Sequence, residues 1–593
     1  MTQKILLSGN EAVARGAFEA GVLVATAYPG TPSTEILENI VKYKDHIYCE
    51  WAPNEKVAVE VGIGASFGGA RTITTMKHVG VNVAADPLFS FAYTGVNGGY
   101  ILISADDPGM HSSQNEQDNR RYAEFMKIVL LEPSDSQEAK DMVGIGLDLS
   151  EKFNIPVMLR MSTRLCHSIG LVELGERVEH PVKDYKPDFK QRVVIPAHAG
   201  LLHVALEKKL AQLSMLSEVS PLNYTIDGDF KFERKRIGVI SSGISFQYAR
   251  EAFPEASFLK LGLSFPFPKD LCRKFAAEVD QVWVIEENEP FIEEKLRAAG
   301  INCVGKEKIP RTNELSQEII RNRMARIINE PQTDISDLPP RPPVLCPGCP
   351  HRGIFYVAHK LKFTGTSDIG CYTLGMMPPL EMGETCICMG ASIGVAQGLE
   401  KARGTEFGKN TLAFIGDSTF IHSGITGLAE IVYNKSNITV VILDNSITAM
   451  TGHQEHPGTG KTLMGEDSPK VNYRKLAESI GIEHIFETDA YNIEGLTEVL
   501  KKIRTLDGPK VIINRGRCIL LDIKKMKIVP FKVDPNKCTA CGQCFKLGCP
   551  TINTGEPNDK GKKRAMINPL FCVGEACAMC QQVCSSGAID LID

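Results

Sequence analysis

A chain of 593 residues exceeds what one hydrophobic core can organise and should divide into several domains. Apolar residues make up 43%, charged residues 23%, and the formal net charge is -5, so nothing favours nucleic acid or an anionic membrane as partner. No apolar run nears the length of a membrane span, and Glu11 interrupts the N-terminus before a signal-peptide core could form. The expectation is a cytoplasmic protein.

The first region, residues 1–175, alternates helix-like and strand-like patterns. Asn10 to Ala20 reads as a helix, and apolar strands follow at Gly21 to Tyr28, Thr72 to Met76, Tyr100 to Ala105 and Pro156 to Leu159. That rhythm predicts a parallel sheet with crossover helices. A polar passage (Glu176 to Arg192) leads to a second α/β region, 190–330, with strands at Arg236 to Ser242 and Gln281 to Ile285. The Pro-rich stretch within 331–343 reads as a linker.

A third α/β region spans 344–523. There the strand Thr411 to Ile415 runs into Gly416-Asp417-Ser418, a helix-like segment follows (Gly424 to Tyr433), and the strand Ile438 to Leu443 ends in Asp444-Asn445. Open parallel sheets bind ligands at the carboxyl ends of their strands, so Asp417 and Asn445 should share a crevice. A carboxylate and an amide oxygen suit Mg2+, Gly416 allows close backbone approach, and the N–H groups after it can hold an anion. The alternative is an ordinary strand–turn–helix in which Asp417 caps the helix.

Eighteen cysteines are the outlier of the composition. Four (Cys49, Cys166, Cys272, Cys303) precede residue 340; the other fourteen fall mostly in short-spaced groups, as metal sites of a reducing, oxygen-poor cell would. After a basic connector, Lys524 to Lys532, residues 533–593 carry Cys538, Cys541, Cys544 and Cys549-Pro550, then Cys572, Cys577, Cys580 and Cys584. This tail resembles the bacterial two-cluster ferredoxins, in which the fourth cysteine of each run ligates the other cluster. The resemblance implies one [4Fe–4S] cluster on Cys538, Cys541, Cys544 and Cys584, and a second on Cys572, Cys577, Cys580 and Cys549. Zinc ribbons, with two separated C-x2-C pairs, fit the triple run poorly.

Gly416-Asp417-Ser418 and the strand ending at Asn445 resemble the thiamine-diphosphate signature, with Ser418 in place of its last glycine. Thiamine enzymes also need a glutamate from a separate α/β domain, directed at N1′ of the aminopyrimidine. Asn54-Glu55-Lys56-Val57-Ala58-Val59-Glu60 looks like that segment, with Glu55 the match by its offset to Gly64 and Glu60 the local alternative.

Together these features resemble the 2-oxoacid:ferredoxin oxidoreductases over almost the whole chain. Tyr28-Pro29-Gly30-Thr31-Pro32-Ser33 looks like that family's Y-P-x-T-P-S loop, which implies substrate contact by Thr31. In that family the residue after the strand's aspartate and a backbone carbonyl two further on complete the Mg2+ shell, which implies Asn445 and Ile447 beside Asp417. Cys346, Cys349, Cys371 and Cys518 are similar in position to ligands of a third, proximal [4Fe–4S] cluster; buried packing thiols, or displacement of one ligand by Cys386 or Cys388, are the alternatives.

The domain order resembles the large subunit of the family's arylpyruvate-oxidising members, as do Gln114 to Arg120, Cys346 to Gly353 and Asp368 to Gly375. The implied fold is multidomain α/β, with two thiamine-diphosphate-binding domains and a ferredoxin-like α+β domain. The implied reaction is CoA-dependent oxidative decarboxylation of indolepyruvate or another 2-oxoacid (phenylpyruvate, pyruvate, 2-oxoglutarate). Electrons would pass to ferredoxin, and a smaller gamma-type subunit would complete a hetero-oligomer. A non-oxidative thiamine-dependent decarboxylase is the rival, but it would leave the cysteine-rich tail without work. His111, Asn115 and Arg120 are candidates for polar contact with the substrate.

Overall fold

The computed structural model describes residues 3–185, 187–326 and 343–592, in two compact units, Met1–Asp334 and Ile335–Asp593. Of the expected linker only Pro343 lies among the described residues. No helix among them is long and apolar enough to cross a membrane.

The first unit holds two large sheets. One has seven strands in the order Leu263–Phe265, Val129–Leu131, Val157–Ser162, Tyr100–Asp106, Thr72–Lys77, Val24–Ala27, Tyr48–Trp51. Six are parallel; Leu263–Phe265, from the second region, pairs antiparallel with the edge strand Val129–Leu131. Every residue of Tyr100–Asp106 is buried, as a central strand covered on both faces must be. The second sheet is built on Lys235–Ser242, paired in parallel with Ser257–Leu261 and Gln281–Ile285.

Local signals place the helices over these sheets. Ser8 and Glu11 form a reciprocal capping box at the start of Gly9–Glu19, and Asn54 accepts from Val57 N (2.9 Å) to open the helix Glu55–Phe67. Gly62 lets that helix lie close on the sheet, since a Cβ there would stand 2.7 Å from Thr74 Oγ1 and 2.8 Å from the Tyr100 ring.

In the second unit, five parallel strands run in the order Thr364–Thr366, Thr411–Gly416, Thr439–Asp444, Lys510–Arg515, His484–Asp489. The helix expected from Gly424 begins earlier. Helical turns start at Asp417 and pass through a π segment, Phe420–Gly424, into Ile425–Tyr433. The cysteine-rich tail follows, with two antiparallel ladders: Phe531–Val533 with Ile589–Leu591, and Ile552–Pro557 with Lys563–Ile567. Its small core draws on several cysteines, including Cys544, Cys549, Cys572, Cys580 and Cys584.

Candidate functional site

In the second unit, Gly416 and Leu443 pair on adjacent strands, so Asp417 and Asn445 leave the sheet side by side. Asp417 begins its helix at residue one, where its carboxylate accepts from Ser418 N (2.9 Å) and reaches across to Ser446 N (2.8 Å). Ser446 has φ of 60°, a left-handed turn that folds the chain back and brings the Ile447 carbonyl inward. One end of the Asn445 amide then lies 2.8 Å from Ile447 O and 3.1 Å from Asp417 Oδ1. With nothing between them that end must be the nitrogen; with a cation between them it turns to oxygen. A carboxylate, an amide and a carbonyl converging on one point fit the hard-donor shell of Mg2+. Burial raises the pKa of Asp444, and the neighbouring Asp417 charge raises it further, which a divalent ion would relieve.

Two histidines escaped the sequence reading. His456 Nε2 lies 3.3 Å from Asp417 Oδ2, while its Nδ1 accepts from Gly458 N (3.1 Å). His351 is buried, and burial pushes its pKa down to about 4, so it is neutral near neutrality. The face of Gly416 where a Cβ would stand is filled by the Tyr372 ring, 2.7 Å away, and the Tyr372 hydroxyl donates to Asp368.

Cys518 joins this crevice directly, its N–H donating to Asn445 O (3.0 Å). Burial lifts the Cys349 and Cys371 thiols to about 12 each, and neighbouring thiols add to the shift: Cys371 and Cys346 on Cys349, Cys518 and Cys346 on Cys371. Cys346, Cys349, Cys371 and Cys518 are therefore one group. Cys386 and Cys388 form another beside Asp368. Next to the first group, Gly348 touches Val573, and Arg352 donates to Cys346 O (3.0 Å) and Leu547 O (2.7 Å). A pocket here is lined by Pro347, Gly348 and Arg352 on one side and Cys549, Cys572, Cys577 and Cys580 on the other. A separate pocket is lined by Cys538, Cys541, Cys544 and Cys584. Burial and then the three neighbouring thiols raise Cys544 to about 11. Pockets walled by four thiols each suit cubane clusters, which are held through cysteine thiolates.

In the first unit, Glu55 is 5% exposed, whereas Glu60 is solvent-facing and paired with Lys56. Gly80 makes room for Glu55, because a Cβ there would stand 2.9 Å from its Oε1. Such a walled carboxylate at a strand-end crevice can share a proton with a ring nitrogen. The Thr31 carbonyl accepts from Ser112 Oγ (3.1 Å), and Asp107 organises the Ser112 loop through Ser112 N (2.8 Å) and Ser113 Oγ (2.7 Å). Lys77 also comes to this loop, donating to Ser112 O (2.9 Å), a residue that no sequence motif marked.

Of the three polar candidates, Arg120 has its side chain committed elsewhere, whereas the contacts of His111 and of the Asn115 backbone leave those two side chains open to a ligand. His111 lies 3.5 Å from Glu314, and the Asn115 carbonyl lies 3.2 Å from His78 Nε2. Arg120 is buried, bridging Asp118 (2.6 Å) and Glu286 (2.7 Å) and so joining the two sheets of its unit. Arg120→Met strands two buried carboxylates and should cost about 3–5 kcal/mol of stability. Denaturant unfolding checks this, with activity per folded molecule unchanged.

A family model described as pyruvate flavodoxin/ferredoxin oxidoreductase, thiamine diphosphate-binding, matches residues 15–202, and one described as thiamine pyrophosphate enzyme, C-terminal TPP binding domain, matches 368–513. The chain is 42% identical to the indolepyruvate oxidoreductase subunit IorA of Archaeoglobus fulgidus, over 99% of this chain and 97% of that one. It is 39% identical to the same subunit of Pyrococcus horikoshii, over 100% and 97%. The 2-oxoglutarate synthase subunit KorA of Methanothermobacter thermautotrophicus is 24% identical, over 51% of this chain and 93% of that one. A solved 2-oxoglutarate:ferredoxin oxidoreductase from Magnetococcus marinus aligns with a TM-score of 0.45 and 19% identity, over 54% of this chain and 65% of that one.

Proposed function

The chain belongs to the family of the indolepyruvate oxidoreductase subunit IorA, and on that premise we propose that it decarboxylates an aryl 2-oxoacid oxidatively, with indolepyruvate the preferred substrate. An oxidoreductase with thiamine-binding domains is the broader description that the relatives support. In the proposed reaction the 2-oxoacid and CoA give an acyl-CoA, CO2, one proton and two electrons, and two oxidised ferredoxins take the electrons. For indolepyruvate the product is indoleacetyl-CoA. A smaller gamma-type subunit completes the enzyme.

Thiamine diphosphate, when bound, supplies the nucleophilic carbon and the electron sink. Asp417, Asn445 and the Ile447 carbonyl would hold Mg2+ and through it the diphosphate, with Gly416 and the Ser418 N–H bordering the anion. Glu55 would hold the proton shared with N1′ of the aminopyrimidine, and Thr31 would meet the substrate.

The observation that carries this reading is the continuity of cysteine groups within one compact unit. From the Asn445 crevice the succession is Cys518, Cys371, Cys346 and Cys349; then Cys549, Cys572, Cys577 and Cys580 across Gly348 and Arg352; then Cys538, Cys541, Cys544 and Cys584. A non-oxidative enzyme has no use for such a series beside its cofactor site.

The test is an anaerobic assay of the chain with its partner subunit, CoA and oxidised viologen or ferredoxin. Indolepyruvate and phenylpyruvate should support CoA-dependent reduction better than pyruvate or 2-oxoglutarate. Reduction by none of the four would refute the oxidoreductase reading, and a preference for pyruvate or 2-oxoglutarate would refute the aryl assignment. Iron should reach about twelve per chain for three cubanes; about eight would remove the proximal cluster.

A further inference from the structure

Lys77 ends the strand Thr72–Lys77, at the carboxyl edge where open α/β sheets bind their ligands. Its stem lies against the Y-P-G-T-P-S loop: a Cβ on Gly30 would stand 3.1 Å from Lys77 Cδ and 3.2 Å from Cγ. Its ammonium donates to Ser112 O (2.9 Å), and the hydroxyl of that same Ser112 donates to Thr31 O (3.1 Å). Ser112 thus ties Lys77 and Thr31 to one point. Glu55 lies nearby on the helix Glu55–Phe67, against Gly80 two residues into the next helix, His78–Thr94.

An ammonium has three donors, and here one hydrogen-bonded acceptor appears among the described residues. Asp107 and Glu55 act on it through charge, yet Asp107 spends its oxygens on Ser112, Ser113 and Thr163. A half-buried cation with spare donors, beside the carboxylate expected to serve the cofactor, is an anion receptor.

We propose that Lys77 binds the carboxylate of the 2-oxoacid substrate, holding it beside Thr31 so that the keto carbon faces the cofactor. This rests on the 2-oxoacid reading above. Arg120 would have been the obvious cation for that task, but it is consumed by Asp118 and Glu286. Burial pushes the Lys77 pKa down to about 8, partly opposed by the charges of Asp107 and Glu55, so the receptor is cationic at neutral pH. Affinity for a carboxylate is then present below about pH 8 and lost as Lys77 deprotonates above it.

The experiment compares the wild-type chain, Lys77→Met and Lys77→Arg, each assembled with the partner subunit and thiamine diphosphate. Methionine keeps an apolar stem on Gly30, and arginine keeps the charge. Calorimetry measures equilibrium binding of two unreactive probes, 3-phenylpropionate and its neutral amide, beside KM and kcat for phenylpyruvate. Lys77→Met should weaken the carboxylate by roughly 10- to 100-fold and leave the amide and the cofactor affinity unchanged. KM should rise by a similar factor, and Lys77→Arg should recover at least part of the loss. Equal loss of both probes, or undiminished carboxylate binding by Lys77→Met, would overturn the proposal. A wild-type enzyme inert to every 2-oxoacid would instead overturn the function on which it rests.

Discussion

Glu55→Gln should lower turnover by about 10²- to 10⁴-fold, the range that a positioned proton-transfer group contributes. The substitution keeps the shape of the side chain and removes the capacity proposed for it, that of sharing a proton with the aminopyrimidine. Its surroundings make the prediction specific. Glu55 sits buried at the first residue of its helix and leans on Gly80, so glutamine should occupy the same space. Thiamine diphosphate affinity and iron content should stay at wild-type values, which assigns the loss to the proton rather than to assembly. Glu60→Gln is the matched control. Glu60 is one turn away, solvent-facing and paired with Lys56, and its loss should leave turnover intact. If Glu60→Gln were the inactive variant, the assignment of Glu55 would fall. A milder probe is Gly80→Ala, whose added methyl would push the Glu55 carboxylate aside.

Asp417→Ala should weaken Mg2+-dependent binding of thiamine diphosphate by at least about 100-fold, since removal of mere outer-sphere partners of a metal costs about 10–100-fold. Beyond the ligand role proposed for it, the carboxylate holds Ser446 N–H (2.8 Å) and therefore the left-handed turn that presents the Ile447 carbonyl. Asp417→Asn should retain part of that turn but lose the charge, and so should bind the cofactor between wild type and alanine. The readout is cofactor titration at fixed Mg2+ by tryptophan fluorescence or calorimetry, with iron content measured in parallel. Undiminished cofactor binding by Asp417→Ala would remove the residue from the site. Excess Mg2+ should rescue Asp417→Asn before it rescues alanine, because one ligand position survives as an amide oxygen.

Much of this architecture was legible in the sequence because its signals are local. Strand and crossover helix alternate with a period set by backbone geometry, so the parallel sheets could be read from Thr72, Tyr100, Thr411 and Ile438 onward. The spacing of the eight C-terminal cysteines is equally local, of the kind by which a short loop can wrap one cubane. Glu55 and Asp417 stand in short motifs next to a strand or a helix start, and both are buried where those motifs end.

What the sequence could not decide depends on residues far apart meeting through packing. Leu263–Phe265 leaves its own region to pair with Val129–Leu131, a choice settled by the edge strand's unpaired backbone groups. Arg120 looked available for a substrate and is instead neutralised by Asp118 and Glu286, because a buried guanidinium must find carboxylates. Asp417 meets His456 and Ser446 only once the strands are aligned. Lys77 carries no motif at all; its position follows from the strand register, the glycine at position 30 and a loop organised by Asp107. The sequence by itself determined the fold class and the cysteine runs and singled out the two carboxylates Glu55 and Asp417, since each rests on a pattern within a few residues. The tertiary structure alone decided which charges are spent on each other and which stay available for a ligand, since a charge's partner is set by distance and burial, not by its neighbours in the chain.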